Sequence, residues 1–520
     1  MEQIEQYGIF ESRERADGNI TGIFSCEETR IRVKAFAVNE GEVMVRFRPE
    51  HTGVWEYRIQ AGERILRAGS FLCIQAGEGN HGPVSAAGFG FRYADGTEYR
   101  PFGTTCYAWI YQPEEIRRQT LESLAGSPFN KVRMCVFPKD MIYNEEEPAY
   151  FPYARGIAED VQPGNPSHNQ EEGCNHRKKQ GKWNIGAPNQ TFWEILETSI
   201  LELDRLGIEA DLILFHPYDR WGFSQLSKED NLKHLEYCAA RLAAYKNVWW
   251  SLANEYDLMP GRTDQDWDIY GQKIKERDPY GHLLSIHNCF QPYEKADWMT
   301  HCSLQTADTK SAMTMRLQYN IPVMIDECGY EGDIPFDWGN LSAFELVHRI
   351  WMGYIRGGYC SHGETYESED NRLWWSKGGK LKGESVARIA FLKEILQELP
   401  QNAEPFCWKI ETDPNGKKQE GADTPFAMAM MKLDEEERNR RILDMLPMAL
   451  CSEECWLQYL GRSCQRELHV NAPGKGIFRA EVLDVWNMSR ICASEGFEGS
   501  LHMNLPAKEG TAVLLKKISM

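Results

Sequence analysis

Between residues 88 and 398, short apolar runs alternate with longer stretches of helical periodicity, and this alternation constrains the fold more than any other feature of the chain. A strand, a helix and a second strand in succession pair the strands in parallel, because the helix carries the chain back along the sheet. Strand candidates lie at 100–108, 131–137, 209–215, 248–253, 283–287, 302–305, 322–326 and 358–362. The clearest helical patterns, at 113–125, 190–206, 228–245, 264–277 and 341–356, fall between most of them. Eight strands in roughly 300 residues predict an α/β fold, a (β/α)8 TIM barrel, with one insertion. That insertion is 138–189, rich in Pro, Gly, Asn and aromatic residues. A loop of this length is functional or disordered, and its place after the second strand puts it on the catalytic face of a barrel.

The flanks read differently. Residues 30–59 alternate apolar and polar positions, with turns at Asn39-Glu40-Gly41 and His51-Thr52-Gly53, which predicts an N-terminal Ig-like β-sandwich over 1–84. The stretch GEGNHGP (77–83) is a linker candidate. Beyond the barrel (85–398), the runs FAMAMMKL, RRILDML, WLQYLG, RELHV, FRAEVLDVW and GTAVLLKK read as short strands of a C-terminal β-sandwich over 399–520.

Composition excludes several classes. A formal net charge of −19 opposes a nucleic-acid partner, whose phosphates the chain would repel. No run of ~18 apolar residues predicts a membrane span. The first residues lack the basic and apolar segments of a signal peptide. Fifteen cysteines, an odd number without CxxC pairs, predict free thiols in a reducing, cytoplasmic compartment. Insertion residues Trp183, His168 and His176 are further candidates, but no carboxylate or Cys completes a metal pattern with them, so neither metal nor cofactor is expected. A homo-oligomer is left open.

TIM barrels carry their chemistry at the C-terminal ends of the strands. The fourth strand, VWWSLA, runs into Asn254-Glu255-Tyr256, and the seventh, PVMID, into Glu327-Cys328-Gly329. Two glutamates at one barrel mouth suit glycoside hydrolysis, which needs one carboxylic acid to protonate the leaving oxygen and one carboxylate to attack or to activate water. Asp326, by side-chain alternation, is expected to face away from the axis. Other strand ends supply substrate-binding candidates: Tyr107 and Trp109 after strand one, His216 after strand three, His287 at strand five, His362 at strand eight and Glu364 two residues on. Each has an ordinary structural reading beside the functional one. Trp374 and Trp375 could also line such a site.

SLANEY (251–256) and IDECGY (325–330) resemble the Asn-Glu and nucleophile signatures of glycoside hydrolase clan A. More narrowly, LGIEADLILFHPYDRWGFS (206–224) and the region 102–138 resemble the apiosidase-like barrels, which occur with an N-terminal Ig-like domain and a C-terminal β-domain. The resemblance implies Glu255 as general acid/base and Glu327 as nucleophile. It implies Asn254 as a hydrogen-bond partner of the sugar 2-hydroxyl, and Arg133 as the charge that keeps the nucleophile ionised. It also implies plant-derived glycans, and a cytoplasmic enzyme would meet them as small glycosides or oligosaccharides and act on chain ends. The expectation is therefore a retaining, exo-acting glycoside hydrolase with a carbohydrate substrate. A non-catalytic carbohydrate-binding barrel is the alternative. A metal-dependent barrel hydrolase would need HxH after strand one, where this chain has Cys106-Tyr107-Ala108-Trp109.

Overall fold

The computed structural model describes residues 1–156, 183–405, 425–445 and 448–519. Two compact units emerge. The first comprises Met1–Ala307, Met315–Leu346 and Tyr359–Val386, and the second Asp308–Thr314, Val347–Gly358 and Ala387–Met520.

The first unit opens on two facing antiparallel-rich sheets. One holds Glu2–Glu5, Arg64–Ile74, Gly53–Ala61, Ile20–Cys26 and Thr29–Lys34 in that order, and the other Phe10–Arg15, Glu42–Phe47 and Phe36–Asn39. Phe10–Arg15 buries every second residue, the period of a strand with one covered face. Phe10, Val45 and Phe47 of the small sheet meet Phe24, Trp55 and Phe71 of the large one in a single core. A three-stranded antiparallel sheet follows, Val84–Ala87, Gly90–Tyr93 and Glu98–Tyr99, which the sequence reading did not anticipate. Its Val84, Phe91 and Tyr99 pack on Trp249, Leu283 and Met324.

Eight short strands then run in parallel. Five form one sheet in sequence order: β1 (Gly103–Thr105), β2 (Lys131–Cys135), β3 (Glu209–Phe215), β4 (Val248–Ala253) and β5 (Leu284–Ser285). Three form a second: β6 (Cys302–Gln305), β7 (Val323–Glu327) and β8 (Tyr359–Cys360). Isolated parallel bridges, Thr104 with His362 and His287 with Ser303, link the outer strands of the two sheets. β3, β4 and β7 are buried at every residue, as parallel strands covered on both faces must be.

Helices α1 (Glu114–Ala125), α2 (Gln190–Arg205), α3 (Lys228–Leu242) and α4 (Asp264–Arg277) connect β1 through β5. α2 shows why these segments are helical. Its Phe192, Leu196, Ile200 and Leu203 recur at three- and four-residue spacing and are buried, giving one apolar stripe. α4 starts at a reciprocal capping box between Thr263 and Asp266. The ends of the 138–189 insertion that the structure describes form a small antiparallel pair, Tyr153–Arg155 with Trp183–Pro188. Trp183 stacks on Phe223, just beyond β3, at 4.3 Å. His168 and His176 lie outside the described residues.

The second unit is built around a six-stranded sheet in the order Glu404–Pro405, Ala449–Ser452, Cys455–Tyr459, Thr511–Ser519, Ile477–Asp484, Ser489–Phe497. The pair Glu467–Asn471 and Ser500–Asn504 covers it, packing Leu468, Val470 and Met503 on Phe478, Val482 and Leu515. The runs FAMAMMKL and RRILDML are not strands: Pro425–Met430 and Glu435–Met445 are helices. Asp434 caps the second by accepting from Glu437 N–H at 2.8 Å, and Glu437 pairs with Arg440 and Arg441 one turn on. Among the described residues no helix is long and apolar enough to cross a membrane.

Candidate active site

Asn254 and Glu255 directly follow β4, and Glu327 ends β7. Glu255 has a φ of +49°, a left-handed conformation that strains a non-glycine residue by about 1–3 kcal/mol. Its neighbours hold it there. Glu255 N–H donates to His287 Nδ1 at 3.4 Å, while Asn254 and Tyr256 N–H donate to the carbonyls of Phe215 and His287, both at 2.9 Å.

Glu327 reaches the same place through a pairing irregularity. β6 and β7 pair Leu304 with Ile325 and then Gln305 with Glu327, so Asp326 is skipped. Such a bulge breaks the in-out alternation of side chains. The expectation that Asp326 faces away from the axis is therefore corrected. Asp326 is fully buried, with Lys131 Nζ at 2.8 Å, Ser303 Oγ at 2.6 Å and Ser361 Oγ at 3.1 Å. Burial alone would raise its pKa, but Lys131 and Arg133 pull it well below the usual carboxylate range.

The two glutamates meet across Gln305. With its amide nitrogen turned toward them, Gln305 donates to Glu255 Oε1 at 3.0 Å and to Glu327 Oε2 at 3.2 Å. Those two distances together cap the separation of the two oxygens at about 6 Å. Tyr218 donates its hydroxyl to Glu255 Oε2, and Tyr107 donates to Glu327 Oε1 while lying 3.2 Å from Asn254 Oδ1. Burial first, and the charge of Glu327 second, push the Glu255 pKa up to about 7. Glu255 is thus a carboxyl that can hold its proton near neutrality.

His287 completes this arrangement. Its Nδ1 accepts from Glu255 N–H, so a neutral ring carries its proton on Nε2, which faces Glu327 Oε1 at 3.8 Å. Burial and the charge of Arg133 keep the ring neutral. Arg133 donates to Ser251 Oγ and Asn254 Oδ1, each at 3.1 Å, and lies 3.6 Å from both Asp211 and Asp326. Among the described residues its ion pairs are with those aspartates, and the charge of Glu327 also acts on it. Asn254 accepts through Oδ1, and its buried Nδ2 has no partner among the described residues.

His216 donates Nε2–H to the Phe137 carbonyl at 3.1 Å, and its Nδ1 has no partner among the described residues. Burial and Lys139 depress its pKa to about 3. Three other candidates do not meet the pair. Trp109 is fully buried, with Nε1 directed at Met134 Sδ 3.0 Å away, and is core. His362 shares a hydrogen bond with Thr104 Oγ1 at 3.0 Å and stacks on Phe129. Glu364 accepts from Lys382 and Gly383 N–H at 2.6 and 2.7 Å. Glu331 beside it accepts from Glu384 and Ser385 N–H at 2.8 and 3.1 Å. Ligand atoms of Glu331, His362 and Glu364 lie within 4.8 Å of one another. All four carboxylate oxygens are nevertheless engaged in anchoring the start of the helix Ser385–Gln397.

A candidate glycoside hydrolase from Bacteroides vulgatus ATCC 8482, known from its crystal structure, is 31% identical to this chain over 100% of each, with a TM-score of 0.84. Residues 139–420 match the family described as apiosidase-like, catalytic domain. The chain belongs to the apiosidase-like glycoside hydrolases. Residues 445–516 of this apiosidase-like hydrolase match a domain of unknown function, DUF5605. A glycoside hydrolase family 5 structure from the same organism shares the fold at 12% identity, with 84% of this chain and 94% of that one covered and a TM-score of 0.59. No curated protein sequence matches.

The site of this apiosidase-like enzyme includes three side chains that the strand-end search did not select. Gln305 is the last residue of β6, so the same rule applied to every strand would have found it. Tyr218 and Lys139 lie in loops beyond β3 and β2, where no periodicity marks them. Lys139 is 2% exposed and holds its ammonium 3.3 Å from the Tyr107 ring centroid and 4.3 Å from that of Tyr218. The cation thus faces the rings of both tyrosines that bond the two glutamates.

Proposed function

We propose that this glycoside hydrolase is a retaining, exo-acting enzyme that releases single sugars from small plant-derived glycosides or oligosaccharides. In this reading Glu327 is the nucleophile and Glu255 the general acid/base. The observation that carries it is the Gln305 amide shared by the two carboxylates. Retaining pairs stand ~5–5.5 Å apart and inverting pairs ~6.5–9.5 Å, the wider gap making room for water. A ceiling of about 6 Å favours the narrower class.

The electrostatics fit the sequence of steps. In the first step a Glu327 oxygen bonds to the anomeric carbon as the glycosidic bond breaks, and the departing oxygen takes the proton of Glu255. Tyr107 and Gln305 donate to Glu327, and His287 Nε2 faces it at 3.8 Å. Once the ester forms, the charge of Glu327 is gone and with it part of what raises the Glu255 pKa. Glu255 then accepts a proton from water as that water releases the sugar and restores the Glu327 carboxylate. The Nδ2 of Asn254, without a partner among the described residues, is available to donate to a sugar hydroxyl.

The same reading treats the chain as three domains, 1–84, 85–398 and 399–520. It treats the eight parallel strands as a (β/α)8 barrel, closed by the bridges Thr104–His362 and His287–Ser303. Exo action is supported by the insertion after β2, which lies where barrel loops line the substrate site. The test is a screen of aryl glycosides followed by proton NMR of the first product on the best substrate. The released sugar is expected with the anomeric configuration of the substrate, and Glu327→Gln should abolish turnover on every substrate. First release of the inverted anomer would refute Glu327 as nucleophile.

A further inference from the structure

Gln305 bridges the two carboxylates, and the loop beyond β5 holds Gln305. Three backbone N–H groups of that loop donate to one side chain: Cys289 to Asp257 Oδ1 at 2.7 Å, and Phe290 and Gln291 to Asp257 Oδ2 at 2.7 and 3.1 Å. Asp257 stands two residues beyond Glu255, so the loop is fixed relative to that acid. Asn288 then brackets the Gln305 backbone, accepting from its N–H at 3.2 Å and donating to its carbonyl at 3.5 Å. With the Gln305 nitrogen turned to the glutamates, its amide oxygen lies 3.8 Å from Cys289 Sγ, within reach of a thiol donor. Burial first, then the charges of Glu255 and Asp257, keep the proton on that thiol, which also bonds Glu255.

The geometry points to Cys289 as a positioning residue, whose S–H holds the Gln305 amide oxygen and so keeps the amide nitrogen on Glu255 and Glu327. The inference rests on the reading of Glu255 as acid/base and Glu327 as nucleophile. Two ionised carboxylates would hold the nitrogen by charge alone. Through the proposed steps, however, at most one of them is charged at a time. A protonated Glu255 can itself donate, and an amide turned end for end would accept from it and point its oxygen at Glu327. Cys289 opposes that turn. In the turned amide the thiol would meet N–H, for which sulfur is only a weak acceptor.

The test is Cys289→Val, which replaces the thiol with apolar bulk and no donor, assayed on the best aryl glycoside. The value of kcat should fall about 3- to 10-fold, the loss of one neutral hydrogen bond, with KM and melting temperature little changed. The alkaline limb should move to higher pH, because the Gln305 donor lowers the Glu255 pKa and a turned amide does not. Glu327, Lys139, Tyr218 and His287, which also face Glu255, are untouched. Cys289→Ser keeps a donor and should lie closer to wild type. In a Gln305→Met background, Cys289→Val should change neither kcat nor the limb, since the contact it removes is already gone. An unchanged profile in folded Cys289→Val, or a serine no better than valine, overturns the proposal. So does a shift that persists without Gln305, which would mean that the thiol acts on Glu255 directly. Failure of the underlying reading looks different: the wild-type enzyme would release the inverted anomer or cleave no glycoside.

Discussion

Glu255 and Glu327 differ in what surrounds them, and that difference predicts the pH dependence. Glu255 is raised to about 7 by burial and by Glu327, so it is protonated below that value and loses its proton above it. The value of kcat/KM should therefore fall as pH rises through about 7, measured on a substrate with a poor leaving group. The positive charge of Lys139 opposes this elevation. Lys139→Met should move the alkaline limb to higher pH, and an unmoved limb would show that the cation does not act on Glu255. Tyr107→Phe removes the hydroxyl that donates to Glu327 and lies 3.2 Å from Asn254 Oδ1. It should lower kcat about 100-fold or more, the range for loss of one preorganised donor, with little change in thermal stability. The strand-end rule found Glu255, Glu327, Asn254, Tyr107 and His287, because a parallel strand delivers its next residue to one face whatever its sequence. The rule placed His362 and Glu364 there as well. It could not foresee that Glu364 accepts from the backbone of residues 382 and 383, a long-range contact that no local pattern encodes.

At the scale of elements, the Glu331–Glu364 anchor has a measurable consequence. A Cβ on Gly383 would stand 2.5 Å from Glu331 Oε2 and 2.6 Å from Glu364 Oε2. Neither oxygen can retreat without giving up a backbone donor. Gly383→Ala should cost about 1–3 kcal/mol as an overpacking substitution, read as a lowered melting temperature. The eight parallel strands were legible in their order and approximate positions, because apolar runs and intervening helical periods mark them. Their lengths were not. β1 is three residues long rather than nine, and a turn at Tyr107–Ala108 follows it, with Tyr107 bonded to Glu327. The bulge in β7 was invisible, since one skipped residue leaves no trace in composition. At 425–445 an apolar pattern suggested strands, and Glu-Arg pairs one turn apart with an Asp434 cap favour helix instead.

For the molecule as a whole, the cysteines offer a direct check. The thirteen within the described residues are all free, and most are buried. Thiol titration of the denatured chain without reductant should find nearly all of the fifteen, and several intact disulfides would contradict a reducing compartment. Two β-rich flanks were legible as alternating runs. The antiparallel sheet at 84–99 was missed, because its strands are only two to four residues long, too short to show a period.

Gln305 can also be seen as a caliper. A planar nitrogen holds its two N–H bonds at a fixed angle, and each jaw here closes on a different acid. The gap between the acids is then gauged by amide chemistry and not only by how well two distant strands happen to settle. On the proposed mechanism, the handedness of the released sugar depends on that gap. A side chain that never touches a reacting bond would thereby set the tolerance to which the stereochemistry is machined.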